Sequence, residues 1–275
     1  MKFKSIFFLF NIVVIFSFSL IFVLPLILLS GSYSSVFWMD NWYLAGIFFI
    51  LIAGLDSYFI INWKLFVFLE KEDWNNLTLY LEDKIYVQGQ FRKQYIKLMI
   101  NTSLAVSNLD KIDRLAKEIG DRKPKLMSRY ALLLGIPLFL RNNTEEAVIF
   151  YGKYKDETDT RHKSWVKWVY AFSLIQESNK DMAQAVLLKI FESKTDDILE
   201  ILTLYSLDSL SYTSESMNRT LEQYREKYGS EKKWNTFLDS MRGKNIFILL
   251  LTGLLDEARK WAMSSSRNEI SLESL

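Results

Sequence analysis

From Ser5 to Met39 the chain carries no charged side chain, and Ser5–Leu29 is almost entirely Phe, Ile, Val and Leu. Twenty-five helical residues reach roughly 37 Å, more than the ~30 Å hydrocarbon thickness of a bilayer. A backbone in hydrocarbon finds no water to bond, so such a run must be helical. A second apolar run, Trp42–Trp63, contains one charge, Asp56. The stretch between them, Ser30–Asn41, is short and rich in Ser and Gly, which predicts a loop. Residues 1–69 therefore read as a membrane anchor, a transmembrane helical hairpin with spans at about 5–29 and 42–63. Residues 70–275 form the domain that hangs from it.

The flanks predict orientation. Lys2, Lys4 and the α-amino group precede the first span, the loop holds only Asp40, and Lys64 closes the second span. Positive charge stays on the cytoplasmic side, so the expectation is an integral two-pass membrane protein with both termini cytoplasmic. It meets the lipid bilayer through residues 5–69. Trp38, Trp42, Tyr43 and Trp63 fall where interfacial aromatics belong. The alternative is a cleaved signal peptide with an exported domain, for which Met1–Lys4 and Ser30-Gly31-Ser32 would serve. A signal core is only ~7–15 residues, much shorter than this run. The absence of Cys excludes a lipoprotein anchor.

Two polar residues interrupt the spans. Asn11 lies seven residues beyond Lys4 and Asp56 eight before Lys64. In an antiparallel pair both sit roughly 10–12 Å from the same edge. One carboxylate and one amide make a poor ion or proton pathway, so the reading is an interhelical hydrogen bond. Pro25 is expected to kink the first span.

Removing Lys2, Lys4, Lys64, Asp40 and Asp56 from the 34 basic and 32 acidic residues leaves residues 70–275 at a net +1. That charge argues against a nucleic-acid partner. Three Pro and ten Gly are few for a strand-rich domain, and no useful alternating pattern occurs. Trp74, Leu77, Leu81 and Ile85 form one helical stripe in a charged helix that begins at Glu70 and continues the second span, and Gly89 interrupts it. Helical segments follow near Arg92–Ser107, Asp110–Ile119, Lys125–Leu140, Glu145–Lys155, Lys163–Glu177, Asp181–Ser193, Asp197–Tyr212, Glu215–Tyr228, Lys232–Met241 and Asn245–Met263. Several open with a capping residue ahead of an acidic turn: Asn108-Leu109-Asp110, Thr144-Glu145-Glu146, Asn179-Lys180-Asp181 and Ser214-Glu215. The acidic markers recur at intervals of 35, 36 and 34 residues, and a fifth candidate, Asp256-Glu257-Ala258, follows after 41. Paired helices at such a period are the signature of a helical solenoid.

Tyr130-Ala131, Thr144-Glu145-Glu146-Ala147, Tyr151 and Tyr154 resemble a tetratricopeptide repeat, as do Trp165, Trp168-Val169, Phe172, Ala183, Leu187 and Ile190. The resemblance covers roughly 92–265. It departs from the family at Val169, where a small residue is usual, and in its longer first helices; Pro124 alone holds an inter-repeat proline position. A membrane hairpin followed by such repeats is also similar in layout to HemY-like bacterial inner-membrane proteins. The resemblance implies a TPR-like α-solenoid of antiparallel helix pairs whose first helices carry the inner face. On that face Lys163, Lys167 and Tyr170 become the partner-groove candidates. The helix from Lys163 is apolar nearly all round, so it should be buried mid-stack. The apolar stretch Ile246–Leu255 is too short to span a bilayer and reads as a buried last-repeat helix, with a membrane-dipping surface as the alternative.

Catalytic chemistry finds no support. His162 is the one histidine and sits in a basic run. Metal ligation needs clustered donors, and none occurs. Gly243-Lys244 resembles the end of a phosphate-binding loop, but Asn245 and Leu238 stand where Ser/Thr and Gly are required. Ser164 and Lys167 match S-x-x-K without its companion motifs. Asp156, Glu157 and Asp159 read as a solvated linker, and Tyr130, Tyr151, Tyr154, Trp165, Trp168 and Tyr170 as repeat packing. The expectation is a non-enzymatic, cofactor-free scaffold that recruits or assembles other proteins at the membrane. The alternative is an accessory subunit of a transport or signalling complex using Asn11 and Asp56.

Overall fold

Every regular element of the structure, a computed structural model that describes residues 3–28, 31–157, 159–193, 195–242 and 246–264, is helical. The chain divides into two compact units, Met1–Gln90 and Phe91–Leu275. The apolar N-terminal run winds into α1 (Phe3–Leu28), followed by α2 (Gly31–Ile61). Phe7 meets Phe59 at 5.6 Å between ring centroids, and Phe18 stacks on Phe48 at 4.9 Å, so the two helices lie side by side and antiparallel. Within α2, Met39–Ile61 is long and apolar enough to cross a membrane by length and composition, with a mean hydropathy of 2.2. In α1 the apolar stretch is Ser5–Ile21.

The predicted loop at Ser30–Asn41 is helical from Gly31 onward. Val36, Phe37, Trp38 and Met39 continue the apolar run, and a helix is the conformation that satisfies their backbone groups internally. The long apolar helix is therefore shifted toward the N-terminus of the predicted span. It also stops earlier. Asn62 turns the chain at φ −97° and ψ 10°, its side-chain amide donates to Tyr58 O at 2.8 Å, and α3 (Trp63–Glu70) begins beyond it. The helix predicted to begin at Glu70 is preceded instead by a break: Glu70 ends α3 and a turn follows at 71–73. The chain reverses at Glu72, Asp73 accepts from Asn76 N at 3.2 Å, and α4 (Trp74–Glu82) follows. A π-helical turn, Asp83–Val87, then ends the stripe of buried Leu77, Leu81 and Ile85.

The second unit holds α5 (Lys93–Ala105), α6 (Asp110–Arg122), α7 (Lys125–Leu134), α8 (Ile136–Leu140), α9 (Thr144–Tyr154), α10 (Lys163–Gln176), α11 (Lys180–Phe191), α12 (Asp197–Ser209), α13 (Glu215–Tyr228), α14 (Glu231–Arg242), α15 (Ile246–Leu250) and α16 (Thr252–Ser264). Two predicted helices are each split. Gly135 separates α7 from α8, and Leu251 separates α15 from α16. A side chain at Gly135 would strike the Tyr151 ring and come within 2.9 Å of Phe150 Cε1, so this glycine lets α9 approach. Pro137, two residues on and in the first turn of α8, has no N–H to give.

One turn geometry recurs through the chain. Glu72, Ser107, Asn142, Ser178 and Ser211 all adopt the left-handed conformation, φ 52–61°, just past a helix end. In each case the next amide reaches back five residues. Asp73 N donates to Phe68 O (3.0 Å), Asn108 N to Ser103 O (2.8 Å), Asn143 N to Leu138 O (3.0 Å), Asn179 N to Leu174 O (2.9 Å) and Tyr212 N to Leu207 O (3.1 Å). This is the Schellman closure, which satisfies carbonyls left over at a helix end. The intervals between turns are 35, 35, 36 and 33 residues. The acidic markers read from the sequence stand three or four residues downstream of four of these turns. The caps differ in detail from expectation. Asn143, not Thr144, caps α9, Ser214 caps α13 as predicted, and Asn179 makes no side-chain cap bond. The residue ahead of α6 is Leu109, which has no side chain able to accept.

Helix α10 lies between α9 and α11 and also touches α7 and α12. Val166, Trp168, Val169 and Ala171 are fully enclosed. Burial on opposite sides of one short helix is what its near-continuous apolar surface requires. The C-terminal helices break the sequential order. Phe247 of α15 packs on Phe139 of α8 at 5.4 Å, and Trp261 of α16 on Tyr205 of α12 at 5.6 Å.

Candidate functional site

The start of α10 and the end of α9 gather charge. Lys155 Nζ lies 2.8 Å from Asp156 Oδ2, and Lys167 Nζ lies 3.2 Å from Oδ1. Lys163 Nζ donates to the Asp156 carbonyl at 2.7 Å. The Lys155 ammonium also stands 5.3 Å from the centre of the Tyr170 ring, whose hydroxyl donates to Met182 Sδ at 3.2 Å. The three groove candidates Lys163, Lys167 and Tyr170 thus converge, and they face α9 and α11. Lys155, Lys167, Asp156, Val186 and Lys189 line a crevice of about 110 Å³. Lys155 and Lys167 flank the Asp156 carboxylate, Lys163 bonds its carbonyl, and Lys189 lines the same crevice, so positive charge exceeds negative there. The hydrogen bond from Lys155 holds the Asp156 carboxyl below its ordinary range, with Lys167 adding to it. Asp156 remains 64% exposed in the turn after α9, as a solvated linker requires, and is ion-paired there with Lys155 and Lys167. Lys155 and Lys189 lie off α10, and no local pattern tells which helix faces which.

Cavities of about 400 and 630 Å³ open beside α9 and share Met127, Lys153 and Tyr154. Their walls are apolar at Leu134, Leu138, Ile149 and Phe150, with Glu157 and Asp159 at the far rim. Tyr151 of α9 is fully buried, and burial pushes its hydroxyl well above the usual phenol range. His162 starts α10 in a left-handed conformation and is exposed. The phosphate-loop candidate Gly243–Asn245 lies outside the described residues. Among the described residues no group of His, Asp and Glu has the geometry to hold a metal ion.

Asn11 does not fulfil the predicted bond to α2. Its side-chain amide donates to Phe7 O at 3.1 Å, within its own helix. That bond is local and needs no partner helix, so it wins. The register set by Phe7–Phe59 and Phe18–Phe48 brings residue 11 level with 55–56. Asp56 Oδ1 is enclosed there with no hydrogen-bond partner among the described residues.

A second cluster is aromatic. Trp168 stacks on Phe172 at 5.2 Å, Trp165 meets Trp168 edge-on at 6.4 Å, and Phe139 lies 5.8 Å from Phe172. Trp165 Nε1 donates to Asp196 Oδ2 at 2.9 Å, while the other oxygen of Asp196 caps α12 through Leu199 N at 3.0 Å. Trp168 Nε1 is buried with no acceptor among the described residues.

These features define an all-α protein with recurrent helix–turn–helix units and one helix able, by length and composition, to cross a membrane. The chain belongs to a family described as "Uncharacterised Treponema protein", whose model matches residues 111–264, more than half of its length. It is similar to an uncharacterized protein of Treponema pallidum (strain Nichols), 20% identical over 230 residues that cover 78% of this chain and 73% of the relative. No solved structure matches.

Proposed function

We propose that this protein is a membrane-anchored interaction scaffold: a tetratricopeptide-like solenoid held at a membrane surface by α1 and α2, which recruits or assembles partner proteins. The observation that carries the reading is the Schellman turn repeated every 33–36 residues from Glu72 to Ser211. A fixed period of paired helices stacks neighbour on neighbour and leaves long faces available to a partner. The lysine crevice around Asp156 suits an acidic segment of that partner. In this reading α1 and α2 form a two-pass hairpin with both termini cytoplasmic. Purification of the full chain in mild detergent, with mass spectrometry of what accompanies it, tests the reading. Partners should be lost when Lys163 and Lys167 are both changed to Ala. A chain that brings down no protein above a control membrane protein would sink the scaffold. Reporter fusions near Ser34 and after Lys64 test topology; a periplasmically active reporter should work only at the first.

The enclosed, unpartnered Oδ1 of Asp56 favours a second reading, an accessory subunit of a transport or signalling complex. Asp56→Asn should then abolish function while leaving partner recovery unchanged.

A further inference from the structure

The two cavities beside α9 make one trough with two characters. They share Met127, Lys153 and Tyr154, and α9 forms a common wall that runs roughly 12 Å from Glu146 to Tyr154. Helix α6 gives a second wall, where Ala116 lines the first cavity and Gly120, one turn on, the second. These small residues leave room, and a Cβ added at Gly120 would meet nothing within 4 Å. The trough is open: Ile149 is 68% exposed at its edge, and Met127, Leu138 and Phe150 are half-buried. In the first cavity the charges are already matched. Arg141 donates to Asp113 Oδ2 at 2.6 Å and lies within electrostatic reach of Glu146. What remains there is an apolar slot between Ala116, Met127, Leu134, Leu138, Ile149 and Phe150. The second cavity differs. Lys125, Lys153, Glu157 and Asp159 line it, and none of the four makes an ion pair among the described residues. Lys153 stands instead over the ring of its neighbour Tyr154, at 5.4 Å.

We propose that this trough binds a lipid with a zwitterionic head group, one alkyl chain lying in the apolar slot and the head group lying among the four charged side chains. Its phosphate meets Lys125 and Lys153, and its ammonium meets Glu157 and Asp159. A head group of one sign faces two like charges in the same cavity, whereas one that carries both signs finds an opposite charge for each. The slot itself selects an alkyl chain over a peptide. Its side chains carry no N–H, hydroxyl or carbonyl group, so a peptide backbone laid there would leave its own N–H and C=O groups unpaired. Volumes of about 400 and 630 Å³ are those of small-molecule sites. Met127, where the cavities join, is an adaptable side chain that fits itself to a chain passing over it. The trough shares no residue with the lysine crevice around Asp156, so lipid binding is a function beyond the recruitment of proteins.

The test uses the full chain in nanodiscs of phosphatidylglycerol, a lipid without an ammonium group. A dodecyl phosphocholine with a diazirine in its chain is added and photolysed, and the labelled residues are mapped by mass spectrometry. Labelling at Leu138 should exceed that at Met182, an exposed apolar residue outside the trough, by about tenfold. Two probes with the same chain, one ending in sulfate and one in trimethylammonium, should each label Leu138 about tenfold more weakly. Ala116→Trp fills the slot and Ile149→Lys charges its edge, and each should cut phosphocholine labelling about tenfold while the cooperative helical melt persists. If Ala116→Trp does not fold, Ile149→Lys decides, because its side chain is mostly in solvent. Lys153→Glu should weaken labelling by the phosphocholine probe and strengthen it by the trimethylammonium probe. Labelling as strong at Met182 as at Leu138, or unchanged in a folded variant, would overturn the proposal. Equal labelling by the three head groups would overturn it too. Each of these failures leaves the scaffold reading to the co-purification experiment, which turns on Lys163 and Lys167.

Discussion

Helices α2 and α10 are both apolar nearly all round, yet they end in opposite environments. In α2, Ile50 is 73% exposed and no residue of Met39–Ile61 is fully buried within the chain. In α10, Val166 and Trp168 are wholly enclosed. Hydropathy alone does not tell them apart; length does. The 31 residues of α2 reach roughly 46 Å, while the 14 of α10 reach roughly 21 Å, short of a bilayer core. A short apolar helix must find protein on every side, and a long one can use lipid as its solvent. The same sequence character therefore carries a packing constraint in one helix and almost none in the other.

The largest test of this contrast pairs Trp168→Ala with Ile50→Ala. Emptying the Trp168 site should cost about 3–5 kcal/mol, read as a large drop in melting temperature in detergent. Ile50→Ala should leave the melt almost unmoved, and comparable losses from both would end the distinction. Charge reverses the sensitivity. Ile50→Arg should lower membrane integration by about 2.5–3.5 kcal/mol at the helix centre, measured as the fraction resisting alkaline extraction.

Glycines sharpen the comparison at smaller scale. Gly135→Ala must move Tyr151 and Phe150 and should cost about 1–3 kcal/mol. Gly54→Ala in α2 meets nothing within 4 Å and should be neutral or slightly stabilising. Smallest is the turn closing α10. Ser178 holds φ 61°, which glycine adopts without a Cβ penalty. Ser178→Gly should therefore stabilise the second unit by about 0.5–1 kcal/mol. A loss of stability would mean that the serine side chain, rather than the backbone geometry, maintains the turn.

The helices of the second unit were legible because their causes are local. Apolar spacing, caps and acidic first turns act within a few residues of one another. The recurrent turns were written in the sequence too, as the polar pairs Glu72-Asp73, Ser107-Asn108, Asn142-Asn143 and Ser178-Asn179, but none contains the glycine that usually marks a left-handed helix end. The acidic residues just downstream revealed the period instead. In the first unit, Ser and Gly at 30–35 suggested a loop, yet the apolar residues beyond them extended α2 back to Gly31.

What the sequence determined by itself is the all-α character, the helical period and the presence of an apolar helix longer than the protein could bury. Each follows from forces between near neighbours or between a segment and its solvent. Tertiary structure alone decided which helices meet. It brought Lys155 of the α9 end and Lys167 of α10 onto one carboxylate, turned the Asn11 amide back onto its own helix, and folded Phe247 back onto Phe139, 108 residues earlier, and Trp165, 82 residues earlier. Such contacts depend on the shape and register of whole packed surfaces, and no local pattern encodes which distant apolar face will be the one that fits.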